Sequence, residues 1–196
     1  MSSPPAYPCL WQAAGLPFPH PRSPCTQARG FTAVELMVVI AILAVLASLA
    51  APSFRPLIER WRVRQVVEGL QSTLHYARSE AVRRGGGISI QKLPQNTNGC
   101  KLAQNKADWD CGWAIVANNQ EIRRIDTPAD ITVTRTTSGP NADRIQVDRW
   151  GGMDGVTALG FTIAPLPDGI SSPATKGVCV AAGGRIKVVD QVQVPC

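Results

Sequence analysis

From its amino end the chain changes its hydrophobic pattern twice. From Phe31 to Ala51 almost every position is apolar, a run of about 21 residues and so long enough to cross a bilayer as a helix. One acid, Glu35, interrupts it. From Ser53 to Arg84 the pattern turns amphipathic. Leu57, Trp61, Val63, Val66, Val67, Leu70, Leu74, Ala77, Ala81 and Val82 recur mostly at three- and four-residue spacing. Between them lie Arg55, Glu59, Arg60, Arg62, Arg64, Glu68, Arg78, Glu80, Arg83 and Arg84. The pattern predicts one continuous helix over 32–84, roughly 80 Å long at 1.5 Å per residue. Its first half would lie in lipid and its second half would cover a globular domain. Pro52 and Pro56 each remove a helical hydrogen bond, so a bend or an open turn is expected there. Gly85-Gly86-Gly87 then ends the helix.

From Ile88 onward the apolar period shortens to two, in runs separated by turn residues. Strands are predicted at 88–93, 113–117, 122–125, 131–135, 144–148, 160–163, 177–180 and 185–189. The polar stretch 95–110 reads as a loop, and 165–176 as a second one. No internal repeat is evident. The expected architecture is α+β: a long N-terminal helix packed on an antiparallel β-sheet or small β-sandwich. The expected segments are 1–30, 31–52, 53–84 and a β-rich domain over 85–196.

Composition adds a boundary. Residues 1–30 are rich in Pro, hold Arg22, Arg29 and His20, and contain no acid. The rest keeps 18 of the 20 Lys and Arg against all 14 Asp and Glu, a formal charge of +4. That is one modest soluble domain behind an anchor, large enough to build its own core.

The acid in the apolar run is the sharpest chemical feature. A carboxylate in a membrane helix costs roughly 2.5–3.5 kcal/mol and calls for a partner. Just upstream, Arg29-Gly30 places a small residue directly before Phe31. A cut between Gly30 and Phe31 would create an α-amino group four residues from Glu35, free to meet the Glu35 of a neighbouring helix. Gly30-Phe31-Thr32 followed by Glu35-Leu36-Met37-Val38-Val39 resembles the class III signal of type IV prepilins and type II secretion pseudopilins. The resemblance implies that residues 1–30 are a leader removed by prepilin peptidase and that Phe31 is N-methylated. It also implies assembly with other pilins into a helical filament. The leader is longer than that family's usual form, for which a misplaced start codon would account. An ordinary secretory signal peptide, cut near Ala47-Ser48-Leu49-Ala50-Ala51, has a shorter apolar region of about 7–15 residues and no use for an acid. A simple anchor also leaves Glu35 unexplained.

The globular half narrows the resemblance. Leu57-Ile58-Glu59-Arg60 with Arg62-Val63-Arg64, then Ala77 to Gly85, is similar to the FimT/GspH branch. Trp109-Asp110-Cys111-Gly112-Trp113 looks like its Trp-x-x-Gly-Trp strand entry. Beyond the leader, with Cys9 and Cys25 set aside, remain Cys100, Cys111, Cys179 and Cys196. An even number on an exported domain reads as disulfides, of which four cysteines allow three pairings. Sequence proximity favours Cys100–Cys111 and Cys179–Cys196, each worth roughly 3 kcal/mol. No Cys-x-x-Cys pair occurs and neither His20 nor His75 lies near a cysteine at ligand spacing, which argues against zinc.

No catalytic constellation, cofactor motif or metal motif is present, so an enzyme is not expected. Asp143, Asp148 and Asp154 are too widely spaced for a continuous calcium loop. The tail offers a binding hypothesis instead. On a strand, Arg185 and Lys187 share one side while Ile186 and Val188 face the other. Gly183-Gly184-Arg185-Ile186-Lys187 resembles the Gly-Arg-x-Arg tail of FimT-like minor pilins, which implies DNA binding for natural transformation. Lys187 keeps the charge but loses bidentate phosphate geometry, and Asp190 weakens the field. Arg123, Arg124, Arg135, Arg144 and Arg149 would extend a basic surface for double-stranded DNA, bound through its phosphates. No aromatic run points to base stacking. The expected function is therefore a minor pilin or pseudopilin in the inner membrane, single-pass, with a periplasmic domain. The alternative is an H-type pseudopilin of a type II secretion system, contacting other pseudopilins or exported protein.

Overall fold

Helix α1 spans Ala33–Arg84 as a single element. In the computed structural model, residues 31–136, 141–153, 159–181 and 184–196 are described, and for 50–53 the backbone alone. The described chain divides between Ala44 and Val45 into two compact units. Thr32 starts the helix as its cap: its hydroxyl accepts the Glu35 N–H at 3.2 Å, and its carbonyl accepts the Leu36 N–H at 3.1 Å. Thr-x-x-Glu at a helix start is the capping-box spacing, and a carboxylate in the first turn suits the positive end of the helix. Helical assignment continues through Pro52 and Pro56. At the other end Gly85 takes φ +76°, and the Gly86 N–H reaches back to the Ala81 carbonyl at 2.8 Å. That six-to-one bond is a Schellman stop. Among the described residues, which leave out the side chains of 50–53 within α1, no helix is long and apolar enough to cross a membrane.

The helix face that enters the core runs through Val63, Val66, Val67, Leu70, Leu74, Ala77 and Ala81, all buried. The predicted stripe began earlier, at Leu57. Leu57 and Trp61 instead stand 62 % and 63 % exposed, and Val82 is exposed as well. Val82 lies one residue, about 100°, round the helix from Ala81 and so misses the buried face.

Two four-stranded antiparallel sheets complete the second unit. The first has the order β3-β2-β1-β5 and the second β4-β6-β7-β8. Their strands are β1 Ile88–Lys92, β2 Trp113–Ala117, β3 Gln120–Ile125, β4 Ile131–Arg135, β5 Arg144–Val147, β6 Leu159–Pro165, β7 Lys176–Val180 and β8 Ile186–Asp190. Each predicted strand exists, with ends shifted by a residue or two. The largest shift at a start is β3. Asn118 and Asn119 take φ +48° and +63°, closing β2 onto β3 in a two-residue hairpin, so pairing resumes at Gln120.

Helix and sheets share one core. Trp109 and Trp113 are fully buried in it, and both indole N–H groups have partners. Trp109 donates to the Ala142 carbonyl at 2.9 Å. Trp113 donates to the Thr73 hydroxyl at 2.9 Å, which itself donates to the Gly69 carbonyl at 2.8 Å. The Trp109 ring meets Phe161 edge-on, with centroids 5.2 Å apart. Disulfides join Cys100 to Cys111 and Cys179 to Cys196.

Candidate functional site

Of the residues predicted to act at the amino end, Gly30 lies outside the described residues. Phe31 is 82 % exposed, and Glu35 is exposed on the first turn of α1. The Thr32 cap is a feature that sequence reasoning passed over, although Thr32-Ala33-Val34-Glu35 carries its spacing in plain view. It gives Glu35 a local role beside any intersubunit one: its N–H is held and its charge faces favourable peptide dipoles.

The C-terminal candidate is a hairpin of β7 and β8. Its turn is closed by the Ala181 N–H donating to the Arg185 carbonyl at 2.9 Å and the Gly184 N–H to the Ala181 carbonyl at 2.7 Å. Gly183 of the quoted motif lies outside the described residues. Lys187 pairs across with Cys179, so Arg185 and Lys187 flank the Cys179–Cys196 bridge. All four residues line one cleft of about 370 Å³. Val189 continues that face but is buried, because Val194 and the Cys196 sulfur crowd the space over Gly177. The bridge thus folds the last residues over the outer side of the sheet. Asp190 does not oppose Arg185 as expected. It lies one position out of phase, on the other face, in an ion pair with Lys176.

The remaining arginines do not make one surface. Arg135 is 5 % exposed, its guanidinium donating to the carbonyls of Asn141 at 3.0 Å and Arg144 at 2.6 Å. It closes a loop and adds nothing to a basic face. Arg123 lies over the Tyr76 ring at 5.4 Å, and Arg124 is paired with Asp126 at 3.1 Å. Both are on β3, the edge of the first sheet opposite β5. Arg144 faces Asp143 at 3.5 Å.

Sequence reasoning also missed a bridge. Arg78 on α1 donates from Nε to the Gly151 carbonyl at 2.9 Å, and its guanidinium lies directly over Gly184, where an added Cβ would overlap it. One side chain therefore ties the helix to the 148–153 turn and to the C-terminal hairpin. In that turn Trp150 stands 84 % exposed.

The titratable groups with shifted equilibria serve structure. Asp110 accepts the Val133 N–H at 2.6 Å and the Ala103 N–H at 3.4 Å, yet its burial pushes the carboxyl above its usual range. Burial likewise lowers the Lys92 ammonium, against the pull of Asp108, Asp110 and Asp143. Asp148 is a turn residue whose carboxylate accepts the N–H groups of Trp150 and Gly152, each at 2.8 Å. Asp154 lies outside the described residues, and His75 is exposed on α1. Among the described residues no group of His, Cys, Asp or Glu forms a metal site.

A capped N-terminal helix that covers two antiparallel sheets, with the chain end clipped by a disulfide, is the build of a pilin-type filament subunit. The chain matches the prokaryotic N-terminal methylation motif over residues 25–51. It matches the type II transport protein GspH over residues 66–184. It belongs to the GspH family, within the type IV pilin and pseudopilin superfamily. It is 26 % identical over 161 residues to the pilin-like protein PilA1 of Thermus thermophilus, covering 82 % of this chain and 91 % of that one. A fimbrial protein of Pseudomonas aeruginosa is 35 % identical over 69 residues, 35 % of this chain and 44 % of the relative. Among solved structures the chain resembles the type IV minor pilin FimU of Pseudomonas aeruginosa. One crystal form gives a TM-score of 0.52 at 25 % identity, covering 69 % of this chain and 94 % of that one. A second gives 0.50 at 24 %, covering 67 % and 96 %. The protein is thus a structural subunit of the minor pilin and pseudopilin class and not an enzyme. Assembly with other pilins follows from the family.

Proposed function

We propose that the protein is a minor pilin of a type IV pilus machine whose C-terminal hairpin takes up DNA for natural transformation. In this reading prepilin peptidase cuts between Gly30 and Phe31, releasing residues 1–30, and Phe31 is then N-methylated. Residues 31–52 hold the subunit in the inner membrane as a single span. Residues 53–84 cover the periplasmic domain, 85–196. The apolar run from Phe31 and the match to the N-terminal methylation motif support this processing and placement. The new amine of one subunit neutralises Glu35 of its neighbour, which removes the burial cost and sets axial register. Exposed Leu57, Ile58 and Trp61 on α1 offer apolar area to adjoining subunits. Glu35→Ala is expected to insert and be cleaved but to enter filaments poorly; normal incorporation would count against this role.

The observation that carries the DNA part is the shared cleft of Arg185 and Lys187, with Asp190 committed to Lys176 on the far face. Phosphate contacts of this kind bind without sequence preference and weaken with salt by about 0.9 in log–log slope per contact. A gel-shift titration of duplex DNA against salt tests it. Arg185→Ala/Lys187→Ala is expected to weaken binding and lower the slope by about 2. Absence of binding at low salt would sink the reading. That outcome would favour the second reading, an H-type pseudopilin of a type II secretion system contacting other pseudopilins or exported protein, for which the GspH match speaks.

A further inference from the structure

Trp150 is an exposed tryptophan on a backbone that cannot easily move. The Asp148 carboxylate accepts the N–H groups of Trp150 and Gly152, each at 2.8 Å. The Gly151 N–H donates to the Asp148 carbonyl at 3.0 Å, and the Asp148 N–H donates to the Gly152 carbonyl at 2.9 Å. Val147 and Met153 then close the base of the loop as a β-bridge. The indole contributes little to the domain's core, since 84 % of the residue's surface faces solvent. A large apolar ring held out on a rigid turn is a binding element whose ordering entropy is already spent.

Its surroundings are cationic. Arg149 precedes it, and the Arg149 main chain lies against the glycine stop of α1, 3.7 Å from where a Cβ on Gly86 would stand. Arg78 binds the Gly151 carbonyl with Nε and covers Gly184 with the rest of its guanidinium. The Arg78 guanidinium thus lies between the main chain of Gly151, which follows Trp150, and that of Gly184, which precedes Arg185. Among the described residues, three acids have partners of their own: Glu80 pairs with Arg83 and Arg84, Asp148 with the turn N–H groups and Asp190 with Lys176.

We propose that Trp150 is a stacking platform for an unpaired nucleobase, while Arg149, Arg185 and Lys187 hold the adjoining phosphates. The inference rests on the reading of the hairpin as a DNA-binding surface and adds the form of nucleic acid it prefers. Bases inside a duplex have both faces covered by neighbours, so a fixed indole reaches a base face only at a frayed end or in a single strand. The patch accordingly takes single-stranded DNA in preference to intact duplex.

The test uses the full chain in mild detergent and fluorescence anisotropy at low salt. The probes are an oligothymidine of about 15 nucleotides and a blunt duplex of about 15 base pairs, within the site sizes such surfaces cover. The unsubstituted protein is expected to bind the single strand more tightly. Trp150→Ala is expected to weaken single-strand binding on the order of tenfold while leaving duplex binding and the salt slope in place. Trp150→Phe is expected to retain most of the preference. Arg185→Ala/Lys187→Ala should weaken both probes alike. Equal affinity for both probes, or an unchanged single-strand affinity in Trp150→Ala, overturns the stacking role and leaves the phosphate-binding hairpin standing. Failure of both probes to bind overturns the hairpin reading and this inference with it.

Discussion

Gly112 is the position where one added methyl group should matter most. It takes φ +101°, and a Cβ there would overlap the Ile125 carbonyl oxygen and stand 2.9 Å from the Asp126 Cα. These are backbone atoms at the paired end of β2 and β3, so no side-chain rotation relieves the clash. Any backbone shift also pulls on two hydrogen bonds, Leu93 N–H to Gly112 carbonyl and Gly112 N–H to Trp109 carbonyl, both 2.9 Å. Left-handed strain contributes about 1–3 kcal/mol and overpacking about 1–3 kcal/mol. Less the offset from a stiffer unfolded chain, a net loss of about 3 kcal/mol follows for Gly112→Ala, a large part of a domain stability of about 5–15 kcal/mol. Gly85→Ala is the control. Its φ is +76°, but nothing lies within 4 Å of the added carbon. Strain of about 1–2 kcal/mol remains there, and the stiffer unfolded chain offsets about 0.4–1 kcal/mol in both variants. Urea unfolding followed by the near-ultraviolet dichroism of buried Trp109 and Trp113 measures the two. Losses within about 1 kcal/mol of each other would refute the argument that space, and not φ, sets the cost at Gly112.

Leu74→Ala, on the buried face of α1, is expected to cost about 2–5 kcal/mol, and Leu57→Ala, on its exposed part, within about 0.5 kcal/mol; the same urea titration compares them. Removing the Cys179–Cys196 bridge, which spans a sequence separation of 17, should cost about 3 kcal/mol. That is a thermal midpoint roughly 6–12 °C lower, and a fall below about 2 °C would contradict it. The Glu80 carboxyl is lowered to about 2, from 4.5, by its hydrogen bonds to Arg83 and then Arg84. Its contribution is therefore present above pH 4.5 and lost as pH falls towards 2. Urea midpoints between pH 5 and 2 should fall more steeply for the natural protein than for Glu80→Gln, and parallel curves would argue against the pair.

The helix, its two ends and most strands were legible in the chain because their causes are local. Period 3.6 from Val63 to Ala81, three glycines after Arg84 and period two beyond Ile88 are properties of near neighbours in sequence. The wider pilin and pseudopilin superfamily was legible for the same reason, since its N-terminal signature lies in one unbroken stretch from Gly30 to Val39. Pairings that close over distance were decided elsewhere. Nothing in the spacing of Arg135 marks it as buried, because the carbonyls that hold it come from the loop before β5 and the first residue of that strand. Asp190 sits three residues from Lys187 in sequence, but the two-residue period of β8 turns it to the other face, where Lys176 of β7 takes its charge. Arg78 read as one more solvated cation on an amphipathic helix; only the folded chain brings Gly151 and Gly184 together beneath it. Amphipathic periodicity fixes which side of an element meets the core. Which charged group meets which partner depends on contacts between residues far apart in the chain, and those are set by the packing of helix and sheets.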